Sequence, residues 1–123
     1  MTRRVLIIDD EEAIQTIVKV SLELTAGWTV LTASSSSEGL EKAKRQRPDV
    51  ILLDVMMPET DGVTLLRQLQ AEPLTQAVPV IFLTAQARAS ERQSLEALAT
   101  GLISKPFEPD IIAKQIKDIL SWA

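Results

Sequence analysis

Five short apolar runs punctuate the chain: Val5–Ile8, Trp28–Ala33, Val50–Leu53, Val80–Leu83 and a weaker Leu102–Ile103. Three of them are continuous Val/Ile/Leu-rich stretches with no in-out alternation, the pattern of parallel strands buried on both faces. The stretches between them carry helical periodicity. Ile14, Ile17, Val18 and Leu22 predict one buried stripe, Leu65, Leu66 and Leu69 another, and Ile112, Ile116, Ile119 and Leu120 a third. Start and stop signals agree with these spans. Ser35 and Glu38 form a candidate capping box, and Pro48 closes that helix ahead of the third strand. Gly101 is placed for the end of the fourth helix and Pro109 for the first turn of the last. No repeat, linker or low-complexity tract interrupts the series.

Strand and helix alternating five times predict an α/β fold: a single doubly wound (βα)5 domain, its parallel sheet covered by helices on both faces. Ligands in such sheets bind beyond the carboxyl ends of the strands, where the strand order reverses. The residues at those ends are Asp9 and Asp10 after the first run, Asp54 after the third, Thr84 after the fourth and Lys105 after the fifth. The second run ends in nothing reactive. If it lies at an edge and the first and third flank the switch point, all five polar residues converge on one crevice. Singly, each has an ordinary explanation: Asp10 as a helix cap, Asp9 or Asp54 as a turn residue, Thr84 bonding a loop amide, Lys105 as a surface charge. Together, three carboxylates and an amine at one crevice are poorly explained that way.

Composition narrows the chemistry. The 123 residues suffice for one domain, at 46% hydrophobic and 24% charged, and they include no Cys, His or Tyr. Thiol nucleophiles, disulfides, Cys/His zinc sites and imidazole acid–base steps are therefore excluded. A net charge of −4 argues against nonspecific nucleic-acid binding. The cluster Lys42, Lys44, Arg45 and Arg47 is interleaved with Glu38, Glu41 and Asp49 and reads as a solvated helix face. The apolar run after Arg3 and Arg4 is too short for a signal peptide or membrane span, so cytoplasmic residence is the default expectation.

Magnitudes constrain the crevice further. Two carboxylates about 5 Å apart repel by roughly 3 kcal/mol at an effective dielectric near 20. Three such pairs approach the whole stability of a domain, about 5–15 kcal/mol. Either one carboxylate is held protonated or a cation belongs there. All-oxygen ligands favour Mg2+ or Mn2+. A divalent ion, an amine and a hydroxyl around a carboxylate make a phosphoryl-handling constellation, with the carboxylate as nucleophile.

Four pieces of sequence, in order and each at a predicted strand end, carry a family resemblance: Ile7-Ile8-Asp9-Asp10-Glu11; Leu52-Leu53-Asp54-Val55-Met56-Met57-Pro58 followed by Asp61-Gly62; Leu83-Thr84-Ala85; and Lys105-Pro106-Phe107. Over essentially its whole length the chain resembles the receiver domain of two-component response regulators. The resemblance implies a sheet of order 2-1-3-4-5. It implies Asp54 as phosphoacceptor, with Thr84 and Lys105 on the phosphoryl group. It implies Mg2+ bound by Asp10 and Asp54, by Asp9 mostly through water, and by the backbone carbonyl of Met56. It implies a cis Lys105–Pro106 bond, a phosphohistidine donor on a sensor histidine kinase or histidine phosphotransfer protein, and an output partner reading the face of the fourth helix, fifth strand and fifth helix.

Two residues depart from the family pattern. Leu102 stands where an aromatic usually works as a switch with Thr84, and Leu98 stands where glycine is common. Met56 and Gln86, positions that tune phosphoryl lifetime, carry no acid or amine. The expectation is a 1–123 receiver with no output domain, acting through another protein, and no enzyme beyond its own phosphorylation and dephosphorylation. Two alternatives are weighed against it. One is a degenerate receiver that binds proteins without being phosphorylated. The other is an aspartyl-phosphate phosphohydrolase, disfavoured because Met56 replaces the second aspartate such enzymes use. A dinucleotide-binding domain is excluded, since no G-x-G-x-x-G follows the first run.

Overall fold

The computed structural model describes residues 2–57, 61–85 and 88–122. Among them the apolar runs become β1 (Arg4–Ile8), β2 (Thr29–Ala33), β3 (Val50–Asp54), β4 (Val80–Thr84) and β5 (Gly101–Ser104). The intervening stretches become α1 (Glu12–Ala26), α2 (Ser36–Gln46), α3 (Gly62–Ala71), α4 (Ala89–Leu98) and α5 (Ile112–Leu120). The strands form one parallel sheet in the order β2-β1-β3-β4-β5, as expected.

The continuous apolar runs divide by parity. Val5, Ile7, Val50, Leu52, Ile81, Leu83 and Ile103 meet Val18 and Leu22 of α1 and Ile112 and Ile116 of α5. Their neighbours Leu6, Ile8, Ile51, Leu53, Val80 and Phe82 meet Ala43 of α2, Leu65, Leu66 and Leu69 of α3 and Leu95 of α4. Successive strand side chains point to opposite faces, so a run apolar at every position needs a helical layer on each side.

Several local expectations are revised. In α1 the buried positions are Gln15, Val18 and Leu22, whereas Ile17 is 40% exposed in a row with Val20 and Leu24. The stripe therefore turns one position away from Ile17, and a glutamine takes a place in it. Gly101 does not end α4 but opens β5, where a Cβ would stand 2.5 Å from Cγ2 of Ile119. Its missing side chain lets α5 lie close on the edge strand. α4 instead stops at Leu98, with Ala99 extended at φ −109° and ψ 174° and the Thr100 N–H bonded to the Val80 carbonyl at 2.9 Å. The turn at Leu98 thus forms without glycine. Pro109 lies in a separate turn closed by Ile111 N–H to the Glu108 carbonyl at 3.1 Å, ahead of α5. In the capping box, Ser35 Oγ accepts from Glu38 N–H at 3.2 Å as expected, but the Glu38 carboxylate reaches Ser34 N–H rather than its own cap residue.

α4 is the most lightly held helix. Leu95 is its one buried residue, its N-cap Arg88 makes no side-chain cap bond, and Arg92 Nη1 donates to Ser104 Oγ on β5 at 2.5 Å. Local stability follows buried apolar contact. Backbone amides of Ala89–Leu98 are expected to exchange with deuterium faster than those of the other four helices, as pulsed exchange with mass spectrometry can measure.

Candidate functional site

Parallel pairing brings the ends of β1, β3, β4 and β5 side by side. Asp9 follows β1 directly and its N–H continues the ladder to the Ala33 carbonyl at 3.0 Å. Asp54 ends β3 in register with Leu83, Thr84 ends β4 in register with Ser104, and Lys105 N–H bonds the Thr84 carbonyl at 2.8 Å. The chain leaves β3 by a tight approach: Gly62 N–H donates to the Val55 carbonyl at 2.8 Å, and a Cβ on Gly62 would meet backbone atoms of Asp54 and Val55 at 2.8 Å. Only glycine allows α3 to start that close to the phosphoacceptor candidate. The Asp61 carboxylate then caps α3 by accepting from Thr64 N–H at 2.8 Å.

Asp9, Asp10, Asp54 and Lys105 do converge, with Thr84 at the neighbouring strand end. Carboxylate oxygens of Asp9, Asp10 and Asp54 lie within 4.8 Å of one another. Asp9 is fully buried, Asp54 is 5% exposed, and Asp10 faces solvent. Lys105 Nζ stands 3.0 Å from Asp9 Oδ2, 3.5 Å from Asp54 Oδ1 and 3.8 Å from Glu11 Oε1. Asp9 Oδ1 accepts from Glu11 N–H at 2.9 Å, and Asp54 Oδ1 from Met56 N–H at 3.1 Å. Glu11, Asp54, Met56, Ala85 and Lys105 line a cleft of about 170 Å³. A second cleft, at the opposite end of β4 between Leu66 and Thr100, is lined by no titratable residue and offers no comparable chemistry.

The helix-cap explanation of Asp10 does not hold, because Glu11 is the N-cap of α1 and makes no side-chain cap bond. Thr84 is buried at the β4 end, and Leu102 is half-buried against the α2–α4 side of the core. The Lys105–Pro106 bond is cis, as the resemblance implied. Gln86 and Pro58 lie outside the described residues.

Charge balance in the cleft is uneven. Burial raises the Asp54 carboxyl to about 6, the Met56 N–H bond opposing, Asp9 adding to the rise and Lys105 moderating it. Burial works against the charge on Lys105, yet its bond to Asp9 and the attraction of Asp9, Asp54 and Glu11 outweigh this and hold its amine above the ordinary lysine range. One amine thus faces the three carboxylates of Asp9, Asp54 and Glu11, with the Asp10 carboxylate close by. This acidic, all-oxygen donor set suits a hard divalent cation and offers nothing to a soft one. Asp9, Asp10 and Asp54 therefore fit Mg2+ or Mn2+.

Two residues, one lining the cleft and one behind it, were not singled out from sequence. Glu11 appears in the first motif without a role and proves to be a third partner of Lys105. Gln15 is a polar residue in an apolar stripe, 8% exposed, and bonds the Asp9 carbonyl. That break in the helical pattern was the available signal.

Comparison with known proteins agrees with the geometry. A sequence model of the response regulator receiver domain matches residues 5–117. The chain is 38% identical over 121 residues, 98% of its length, to the alkaline phosphatase synthesis transcriptional regulatory protein PhoP of Bacillus subtilis, covering 49% of that protein. It is 37% identical over 96% of its length to the phosphate regulon transcriptional regulatory protein PhoB of Pseudomonas aeruginosa, covering 52% of it. It thus spans about half of these relatives. The chemotaxis response regulator CheY4 of Vibrio cholerae superposes with a TM-score of 0.88 at 32% identity, covering 97% of this chain and 99% of that one.

Proposed function

The chain belongs to the response regulator receiver domain family of two-component systems, and on that premise we propose that it accepts a phosphoryl group on Asp54 from a phosphohistidine of a sensor histidine kinase or histidine phosphotransfer protein. The observation that carries this reading is the cleft itself: a nearly buried Asp54 carboxylate beside Asp9 and Asp10 and within 3.5 Å of the Lys105 amine.

In the reaction an Asp54 carboxylate oxygen attacks phosphorus, an O–P bond forms and the N–P bond of the donor breaks. The bond pair returns to the imidazole nitrogen of the donor. The chain has no histidine of its own, so it supplies only the aspartyl end of such a relay. Met56 N–H orients the carboxylate through Oδ1. Lys105 can turn from Asp9 toward the incoming phosphoryl oxygens, and Thr84 stands at the neighbouring strand end to donate its hydroxyl. A Mg2+ or Mn2+ ion held by Asp9, Asp10 and Asp54, with the Met56 carbonyl, would neutralise phosphoryl charge.

The output is proposed to be read by a protein partner on the face formed by α4, β5 and α5. Leu102 takes part there by repacking, in place of an aromatic. No observation favours a phosphorylation-independent binding module.

Intact-mass measurement after incubation with acetyl phosphate and Mg2+ tests the reading. Wild type is expected to gain one phosphoryl group, and both Asp54→Asn and metal-free wild type to gain none. An adduct that survives Asp54→Asn, or no adduct on wild type under any metal condition, would overturn it.

A further inference from the structure

Gln15 sits about one turn into α1, and its side chain closes the gap where the β1–β2 ladder ends. Its Nε2 lies 2.6 Å from the Asp9 carbonyl, 3.3 Å from the Ala33 carbonyl and 3.0 Å from Ser34 Oγ. Carbonyls only accept, so the NH2 end of the amide must face this cluster. The residue is 8% exposed among apolar neighbours of the α1 stripe, where an unmatched amide or an orphaned carbonyl is strongly disfavoured.

The Asp9 carbonyl belongs to the peptide that joins the two aspartates of the cleft. A peptide is planar, so fixing its oxygen fixes the plane and with it the direction in which Asp10 leaves Asp9. Asp10 is exposed, and no hydrogen bond from a helix cap holds it in place. The bond to Gln15 therefore orders the backbone on which its carboxylate is mounted. Ser34 and Glu38 extend the clamp, because the Glu38 carboxylate accepts from Ser34 N–H at 2.6 Å. We infer that Gln15 is a positioning residue for the acidic pair: it tethers the Asp9–Asp10 peptide to the β2–α2 connection and so pre-sets the carboxylates for a divalent cation.

This rests on the metal-binding part of the proposed function and adds a residue that touches neither cation nor phosphoryl group. Outer partners that orient ligands commonly change metal affinity by about 10–100-fold. The test is an NMR titration of metal-free wild type, Gln15→Met and Ser34→Ala with Mg2+ alone. Wild type is expected to show the Gln15 side-chain amide signals shifting with the same midpoint as the Asp9 and Asp10 backbone amides. Gln15→Met, which keeps shape but has no donor, is expected to bind Mg2+ about tenfold more weakly. Ser34→Ala, which removes one Gln15 contact but keeps those to the Asp9 and Ala33 carbonyls, is expected to shift the Mg2+ midpoint less than Gln15→Met. A purely structural glutamine would lower thermal stability and leave the Mg2+ midpoint of the folded protein unchanged, and that result overturns the inference. Should Gln15→Met fail to fold, stationary Gln15 side-chain signals through saturation of the wild type overturn it equally. If wild type shows no saturable Mg2+ response, the metal-binding reading itself fails and this inference falls with it.

Discussion

Asparagine in place of Asp54 is expected to make the metal-free protein more stable at neutral pH, by about 2 kcal/mol. A carboxyl raised from 3.8 to about 6 in the folded state binds its proton more tightly folded than unfolded. Its contribution is therefore fully present below about pH 4, falls as pH rises through about 6, and by pH 7.5 has been lost. The full difference corresponds to about 3 kcal/mol. Asparagine avoids that loss, the attraction to Lys105 being already contained in the value of about 6, and its amide is an imperfect match for the neutral carboxyl, which trims the gain. In urea melts with a chelator, the difference between Asp54→Asn and wild type should be largest at pH 7.5 and fall to about a third of that at pH 4.5. Saturating Mg2+ should shrink it at pH 7.5, because the wild-type carboxylate then has a cation. Equal stability of the two proteins at pH 7.5 without metal would mean that Asp54 is not under the electrostatic load its burial implies.

The opposite change is expected from Lys105→Met. The amine stands among Asp9, which has no exposed surface, Asp54 and Glu11. Taking away one partner of a buried ion pair leaves an uncompensated charge and typically costs about 3–5 kcal/mol. A loss of about 3 kcal/mol is expected in the metal-free state at pH 7.5, since Lys105 is 14% exposed and water reaches part of the cleft. The deficit should narrow below pH 6, where Asp54 takes up a proton. Asp54→Asn added to Lys105→Met should recover part of the loss, a coupling of about 1–2 kcal/mol in a double-mutant cycle. Strict additivity of the two changes would place Lys105 outside the electrostatics of the cleft. The double-mutant comparison also separates charge from packing, because methionine keeps the aliphatic stem of the lysine.

Both predictions concern residues that were legible from sequence, and the reason is topological. Strand-end positions can be read wherever strands can be read, and β1, β3 and β4 are uninterrupted apolar runs bounded by polar residues. Parallel pairing then forces their ends together. The same logic failed where a position depended on rotation about a helix axis. Ile17 and Gln15 both fit a loose 3.6-residue periodicity, and only packing on the sheet turns Gln15 inward and leaves Ile17 in solvent. Gly101 and Pro109 went wrong for another reason. Both residues suit the starts and ends of helices, yet the first is needed for close approach of α5 and the second for a turn three residues before it.

The sequence by itself determined the fold class and the placing of Asp9, Asp10, Asp54 and Lys105 at one crevice, because these follow from local apolar runs and the polar residues that bound them. It also determined that any phosphohistidine must come from elsewhere. Tertiary structure alone decided how deep each carboxylate sits and which one meets Lys105, 96 residues from Asp9. It likewise decided that a glutamine holds the peptide between the aspartates. Burial and charge proximity are sums over neighbours far apart in the chain. No local pattern contains them, and they set whether Asp54 is an ordinary carboxylate or one held near 6.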